Sequence, residues 1–105
     1  MTPEQFNQRL NEIVPARYRV WKEKPPVPFA VFYEEETENF AADGIVYMRF
    51  VAITIELYTR EKRPELEQKI EMMLDENKVF WDRLESYIDS EKLLMVSYSF
   101  TVKGE

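Results

Sequence analysis

The sequence predicts an α+β fold in which two helices pack on one face of a mainly antiparallel sheet, in the order α-β-β-β-α-β-β. Two segments, which begin at Thr2 and at Pro64, carry apolar residues at helical spacing. Ile45 to Thr59 is a long run rich in β-branched and aromatic residues, and Ser90 to Lys103 alternates apolar and polar side chains. No linker, repeat or low-complexity tract separates these segments, so residues 1–105 are expected to form a single domain.

The first helix is predicted by its start signal and its apolar face. Thr2 can cap it, with Pro3 at the first helical position and Gln5 completing a capping box. The apolar residues that follow on one face are Phe6, Leu10, Ile13 and Val14. Pro15 ends the helix, because the residue before a proline is disfavoured in the α region.

Two strands are expected next. Ala16 to Trp21 is predicted as a short edge strand, and three prolines between Lys24 and Pro28 hold the following segment extended. Phe29 to Tyr33 is a short apolar run typical of a buried strand. Glu34 to Gly44 contains five acidic residues and ends on Asp43-Gly44, a turn pair, so we predict a long acidic loop there.

The remaining elements are an amphipathic helix and two strands. From Pro64, the residues that recur at helical spacing are Leu66, Ile70, Met73 and Leu74, and the acidic side with Glu65, Glu67 and Glu71 is expected to face water. Phe80 to Tyr87 has no clear periodicity and is interpreted as a strand. In the final strand one face carries Leu94, Val96, Tyr98, Phe100 and Val102.

Composition excludes several classes of chemistry. The chain has no Cys and no His, which removes disulfides, thiolate nucleophiles, imidazole bases and ordinary zinc sites. The carboxylates between Glu34 and Asp43 could bind a hard cation, but their spacing fits no calcium loop. Two glycines cannot build a phosphate-binding loop. We therefore predict no enzyme activity, no cofactor and no metal.

Charge and hydropathy limit the partners. Fourteen basic and 20 acidic residues give a net charge of −6, which opposes attraction to a phosphate backbone and argues against sequence-specific nucleic-acid binding. No apolar run approaches the roughly 20 residues of a membrane span, and the N-terminus lacks the features of a secretory signal. A soluble, intracellular protein is expected.

The length of the Ile45 to Thr59 strand points to assembly. At about 3.3 Å per residue it would span on the order of 50 Å, whereas a compact chain of this size has a radius of gyration near ~13 Å. The strand must bend or project, and a projecting strand offers backbone hydrogen-bonding groups to a partner. Val51 to Leu57 is expected to be core strand, whereas Ile45 to Phe50 and the preceding loop are expected to contact another subunit.

The candidate interface residues lie in and around this segment. They are Glu34, Glu35, Glu36, Glu38, Phe40, Asp43, Tyr47, Arg49 and Tyr58. The three aromatic residues are expected outside the core, where aromatic side chains mark protein interfaces. Arg49 either discourages unwanted strand pairing or donates an ion pair to a neighbouring subunit.

Several short patterns between residues 20 and 100 resemble a family of phage proteins. They are Pro25-Pro26-Val27-Pro28-Phe29-Ala30-Val31-Phe32-Tyr33, Asn39-Phe40, Ala42-Asp43, Val46-Tyr47, Ile55-Glu56-Leu57-Tyr58-Thr59, Pro64-Glu65-Leu66-Glu67, Leu74-Asp75-Glu76-Asn77 and Tyr87-Ile88-Asp89-Ser90-Glu91-Lys92-Leu93. In these the chain is similar to the tail-terminator and tail-completion proteins of long-tailed phages and prophages.

The resemblance implies a function in virion assembly. It implies an α+β subunit that forms a ring, often a hexamer, which caps the tail tube at its head-proximal end. The implied partners are other copies of the chain, the tail tube protein and the head connector proteins, first in the host cytoplasm and then in the virion. It implies no catalytic residues.

Two alternatives stay open at this stage. A head-closure or head-tail adaptor protein of the same particle would have the same composition. A small cellular ligand-binding or regulatory module of the α+β class would instead have a concave apolar pocket with convergent polar groups.

Overall fold

The computed structural model describes residues 2–23, 25–42 and 46–103, with the side chains of all of these except residues 36–42, 46–49 and 103. The elements are α1 (Pro3–Ile13), β1 (Ala16–Tyr18), β2 (Phe29–Ala42), β3 (Val46–Thr59), α2 (Pro64–Glu76), β4 (Trp81–Ile88) and β5 (Leu93–Lys103). This order confirms the predicted α+β class and its α-β-β-β-α-β-β arrangement.

The five strands form one sheet in the spatial order β1-β2-β3-β5-β4. The pairs β2–β3, β3–β5 and β4–β5 are antiparallel, and β1 pairs with β2 in parallel. The long strands β2, β3 and β5 are therefore central, whereas β1 and β4 lie at the two edges.

The core lies between the two helices and one face of the sheet. Ile53, Ile55 and Leu57 alternate along β3 and are almost completely buried. From β5, Tyr98 joins the same cluster, and the helices contribute the buried side chains Phe6, Leu10, Ile70, Met73 and Leu74. The rings of Phe6 and Phe100 lie 5.2 Å apart. The predicted apolar faces of both helices are confirmed, as is that of the last strand from Val96 to Val102, whereas Leu94 is only partly buried.

Helix α1 begins as its sequence predicts. The Gln5 backbone N–H donates to the Thr2 hydroxyl over 3.2 Å, and the Thr2 N–H donates to the Gln5 side-chain oxygen over 2.8 Å. This reciprocal capping box satisfies two amides that have no partner within the helix. The helix ends where the Val14 N–H donates to the Leu10 carbonyl, directly before Pro15.

The first edge strand is shorter than the predicted Ala16 to Trp21. It ends at Tyr18 because Arg19 takes a left-handed conformation with φ of 64°, which turns the chain away from the sheet. Trp21 still contacts β2, since its indole Nε1 donates to the Ala30 carbonyl over 3.1 Å. The peptide bond between Val27 and Pro28 is cis.

The predicted acidic loop from Glu34 to Gly44 is wrong over most of its length. Strand β2 continues through the acidic residues to Ala42, and its pairing with β3 extends to Ala42 opposite Val46. The polar sequence suggested a loop, but a strand that pairs along β3 beyond the core needs no apolar side chain to complete its backbone hydrogen bonds. The predicted Asp43-Gly44 turn and Ile45 lie outside the described residues.

The ambiguous segment near Phe80 is a strand, β4, whose first residue is Trp81. The last strand begins at Leu93 rather than Ser90, because the segment before it forms a turn in which the Glu91 N–H donates to the Ile88 carbonyl over 3.2 Å. Lys92 has φ of 55° at the end of this turn. Within the described residues, no helix is long and apolar enough to cross a membrane.

Candidate functional site

The far halves of β2 and β3 extend beyond the rest of the sheet. The pairing of β3 with β5 runs from Thr59 to Phe50, which lies opposite Lys103. Val46 to Arg49 pair only with β2 among the described residues. We call residues 36–42 of β2 and 46–49 of β3 the hairpin arm. Its outer part, residues 39–42 opposite residues 46–49, is a two-stranded ribbon attached to a five-stranded body.

The arm makes the molecule long. The Cα radius of gyration is 15.0 Å and the principal extents are 50 × 27 × 22 Å, compared with the radius near ~13 Å expected for a compact chain of this length. A two-stranded ribbon alone is only marginally stable in water. Pairing with a partner would stabilise such a ribbon.

The base of the arm is marked by an irregularity in the ladder. The register between β2 and β3 shifts between Glu34 and Thr37, and shifts of this kind bend a strand and re-aim it. On the β1 side, the Arg19 guanidinium donates to the Glu34 carbonyl over 3.1 Å. Glu35, within the shift, is exposed. The arm therefore begins where the body stops supporting β2.

The structure brings most of the predicted interface positions into this one region. Glu36, Glu38 and Phe40 lie in the β2 half of the arm. In the β3 half, Tyr47 lies opposite Ala41, and Arg49 opposite Asn39. Glu34 and Glu35 lie at its base, and Asp43 lies outside the described residues. What these side chains contact in an assembly stays a prediction.

Tyr58 lies far from the arm, at the opposite end of β3. Its ring stacks on Phe29 with centroids 5.1 Å apart, and Trp21 meets Phe29 edge-on at 6.1 Å. Arg17 lies 4.9 Å from the centre of the Trp21 ring. Tyr58 therefore belongs to an aromatic cluster on the sheet face opposite the helices, which we call the outer face.

The centre of the outer face holds a carboxylate between two phenols. The hydroxyls of Tyr33 and Tyr58 donate to the two oxygens of Glu56 over 3.2 and 3.0 Å. Burial, and next the negative charge of Glu56, raise the pKa of both tyrosines above the ordinary value. Both phenols stay neutral near pH 7 and act as hydrogen-bond donors.

A shallow groove of about 380 Å³ crosses the outer face nearer the arm. Its lining includes Glu35, Thr54, Phe80, Asp82 and Ser99. Phe80 is 87% exposed, the largest exposed fraction among the large apolar side chains described. The groove is open and largely polar, unlike the concave apolar pocket that a small-molecule site requires.

The sequence predicts strand β4 but not its exposed position at the edge of the sheet. It pairs only with β5 among the described residues, and six of its eight residues are exposed. Leu84 and Tyr87 have exposed fractions of 63% and 54%. The available signal was the absence of a clear apolar alternation in this segment, which is typical of a strand with little burial on either face.

An ionic cluster joins α2 to β4 and corrects a second prediction. Glu67 was expected to face water, but it is only 3% exposed. Its carboxylate lies 2.9 Å from Lys62 Nζ and 3.3 Å from Arg83 Nη1. Glu67 follows Leu66 and lies at the border of the apolar face of α2, so its side chain points toward β4 rather than toward solvent. Neighbouring Glu71 accepts a 2.7 Å hydrogen bond from the buried Tyr98 hydroxyl.

Comparison with known proteins identifies the fold. No protein-family model matches the chain, and no curated protein matches it at a significant level. Among solved structures, it is similar to a chain of the structure described as the "virion of native gene transfer agent (GTA) particle". The TM-score is 0.61 over 97% of this chain and 90% of that chain, with 7% sequence identity. The two chains share a fold over nearly their whole lengths.

Proposed function

We propose that this chain is a structural subunit of a phage-like particle, and specifically a ring-forming tail terminator or tail-completion protein that caps the tail tube at its head-proximal end. The observation that carries the proposal is the hairpin arm, which lies beyond the body and pairs with no other described element of its own chain. A surface of this kind is suited to joining subunits.

The shared fold supports the class of particle. The similar solved chain belongs to a virion, and the likeness extends over almost all of both chains rather than over one motif. Fold alone does not assign a function. The more specific role rests on the sequence patterns that resemble tail-terminator and tail-completion proteins.

Ring formation requires a particular kind of interface. In a closed ring, one surface of each subunit meets a different surface of the next. The hairpin arm supplies one such surface, and its candidate contacts are Glu36, Glu38, Phe40, Tyr47 and Arg49. We propose that these residues contact a neighbouring subunit or the tail tube protein.

The charge of the chain is compatible with the role. A ring at the end of a tail tube must let DNA pass without holding it. Lysine and arginine side chains that contact DNA phosphates displace the counterions of the DNA, and this release favours tight binding. This chain instead carries a net charge of −6. We propose that no direct nucleic-acid recognition is involved.

Disruption of the gene in the particle's host tests this function, with electron microscopy of the released particles as the measurement. A missing terminator gives tails of uncontrolled length, and the intact gene supplied in trans restores normal length. Normal tails detached from heads would contradict the terminator role and indicate a head-closure or head-tail adaptor protein. Fully normal particles would contradict both roles.

A further inference from the structure

The two edges of the sheet differ in how well they are protected. At one edge β1 covers β2 only from Ala30 to Phe32, and the Arg19 side chain covers the Glu34 carbonyl. From Glu35 to Ala42, the side of β2 that faces away from β3 has no described strand partner. At the other edge no described strand pairs with β4 on the side away from β5.

Strand β4 is not shortened, bulged or interrupted by proline, which are three of the devices that usually keep an edge from pairing. Natural edge strands are shortened, interrupted by proline or a bulge, or marked by lysine. Strand β4 has eight residues, Trp81–Ile88, and contains no proline and no lysine. Its register with β5 is continuous from Trp81 to Ile88. Its cation, Arg83, is bound to Glu67 and Glu71 on the helix side.

We propose that β4 of one copy pairs with the free edge of β2, residues 35–42, in the next copy, and that this ladder is the joint between subunits. The proposal rests on the ring-forming role proposed above and names the surface that receives the arm. It joins two different surfaces of the same chain, as a ring requires.

Strand direction and strand length both favour this pairing. β2 is antiparallel to β3, β3 to β5, and β5 to β4, so β2 and β4 run in opposite directions. Copies that follow one another edge to edge would therefore continue the antiparallel ladder without reversal. The free stretch Glu35 to Ala42 has the same length as β4, which is eight residues.

Charge does not select this pairing, because both edges carry carboxylates. The arm contains Glu36 and Glu38, and β4 contains Asp82 and Glu85. Glu85 forms an ion pair with Lys62, which is shared with Glu67. The attraction would come from backbone hydrogen bonds and from covering the exposed Leu84 side chain, as in other cases where a strand is added to an open sheet edge.

The pairing also sets how successive copies are placed. In the register of the sheet, Ile53 of β3 lies opposite Glu34 of β2 on one side and opposite Phe100 of β5 on the other. Trp81, the first residue of β4, lies opposite Phe100. The arm therefore begins at the level where β4 begins and extends away from it. Joining them shifts each copy by roughly 25–30 Å along the strands. A closed ring then requires tilted strands, as closed barrels do, where the tilt is about 35–45°.

Site-specific cross-linking of the full chain tests the joint. The chain has no native cysteine, so single cysteines can be placed without background. Leu84→Cys protein is mixed at millimolar concentration with Glu38→Cys or with Asn39→Cys protein under mild oxidation. Two arm positions are used because adjacent residues of a strand point to opposite faces. The control partner is Gln68→Cys, at an exposed position on α2.

One arm position should give a mixed disulfide with Leu84→Cys about tenfold faster than Gln68→Cys does, because pairing raises the local thiol concentration. Equal rates for arm and control, or no mixed disulfide, would overturn the joint. Preferential Leu84→Cys self-linking would overturn it too, since it indicates that β4 pairs with β4 around a two-fold axis. If the joint fails but gene disruption still gives overlong tails, the proposed function stands without it.

Discussion

Glu67 has the most constrained environment of any charged side chain described. It is almost completely buried and is bound by Lys62 and Arg83, whose side chains are about two-fifths exposed. Arg83 also bonds to Glu71, which accepts from Tyr98. A helix, the turn before it and the edge strand β4 are thus held in register by one group of side chains, and β4 keeps the position that the subunit joint requires.

Neutralising Glu67 should destabilise the protein more than neutralising a surface glutamate. Glu67→Gln leaves Lys62 and Arg83 without their buried counter-charge, so we expect a loss of about 1–2 kcal/mol in the free energy of unfolding. Urea denaturation measures it. The matched control is Glu65→Gln, whose ion pair with Arg63 is exposed, so its loss of stability should be clearly smaller because exposed ion pairs contribute little. Equal losses would contradict the assigned role.

The buried phenols predict a decline in stability at alkaline pH. Burial, followed by hydrogen bonding to Glu71, raises the pKa of Tyr98, and Tyr33 and Tyr58 are raised in the same direction. A group with a raised folded pKa stabilises fully below its unfolded pKa, about 10 for tyrosine. That contribution falls as pH rises from there through the folded pKa.

We therefore expect the free energy of unfolding to fall above about pH 10, with a shallower fall in Tyr98→Phe. Denaturation curves across this range, together with phenolate absorbance, measure both. The assignment would be contradicted if the free energy of unfolding stayed constant above this pH while all six tyrosines ionised at the ordinary pKa.

Strand β2 shows what sequence patterns can and cannot predict. The apolar run Phe29 to Tyr33 predicts a buried strand at the start of β2. The acidic residues that follow predict a loop, although they continue the same strand. Burial leaves a periodic signal in the side chains, but backbone pairing outside the core leaves none. For the same reason, the half-buried β5 shows a clear alternation of apolar and polar residues, whereas the exposed β4 does not.

Shortening the hairpin should separate folding from assembly. Deleting only Glu35 to Ala42 would remove one strand of the ribbon and leave β3 unpaired, so both strands must be shortened together. We propose replacing residues 39–49 by Asn-Gly, which suits a two-residue hairpin turn after the Glu38–Phe50 pair.

The shortened variant should unfold cooperatively with a loss of about 1 kcal/mol or less, because a two-stranded ribbon is only marginally stable by itself. Ile55→Ala, in the body of β3, should cost about 2–5 kcal/mol as the comparison. Thermal and urea denaturation measure both variants. A shortened variant that fails to fold would show that the hairpin belongs to the body.

For the whole molecule, the length argument was the most useful inference from sequence. A run from Ile45 to Thr59 too long for a compact domain predicted a bend or a projection, and the 50 Å long axis confirms a projection. The predicted boundary is off by one residue, because Phe50, which was expected outside the body, still pairs with Lys103 of β5. The receiving edge on β4 could not be predicted, because an open edge is a property of strand order in space.

Binding to purified tail tubes tests the central claim most directly. The full chain and the hairpin-shortened variant are incubated with tubes that lack the terminator, and the bound fraction is measured by co-sedimentation, with folding of both verified by circular dichroism. The account predicts that the full chain binds and that the folded, shortened variant binds at least about tenfold more weakly, a loss of about 1.4 kcal/mol or more. Equal binding by the two proteins would contradict it.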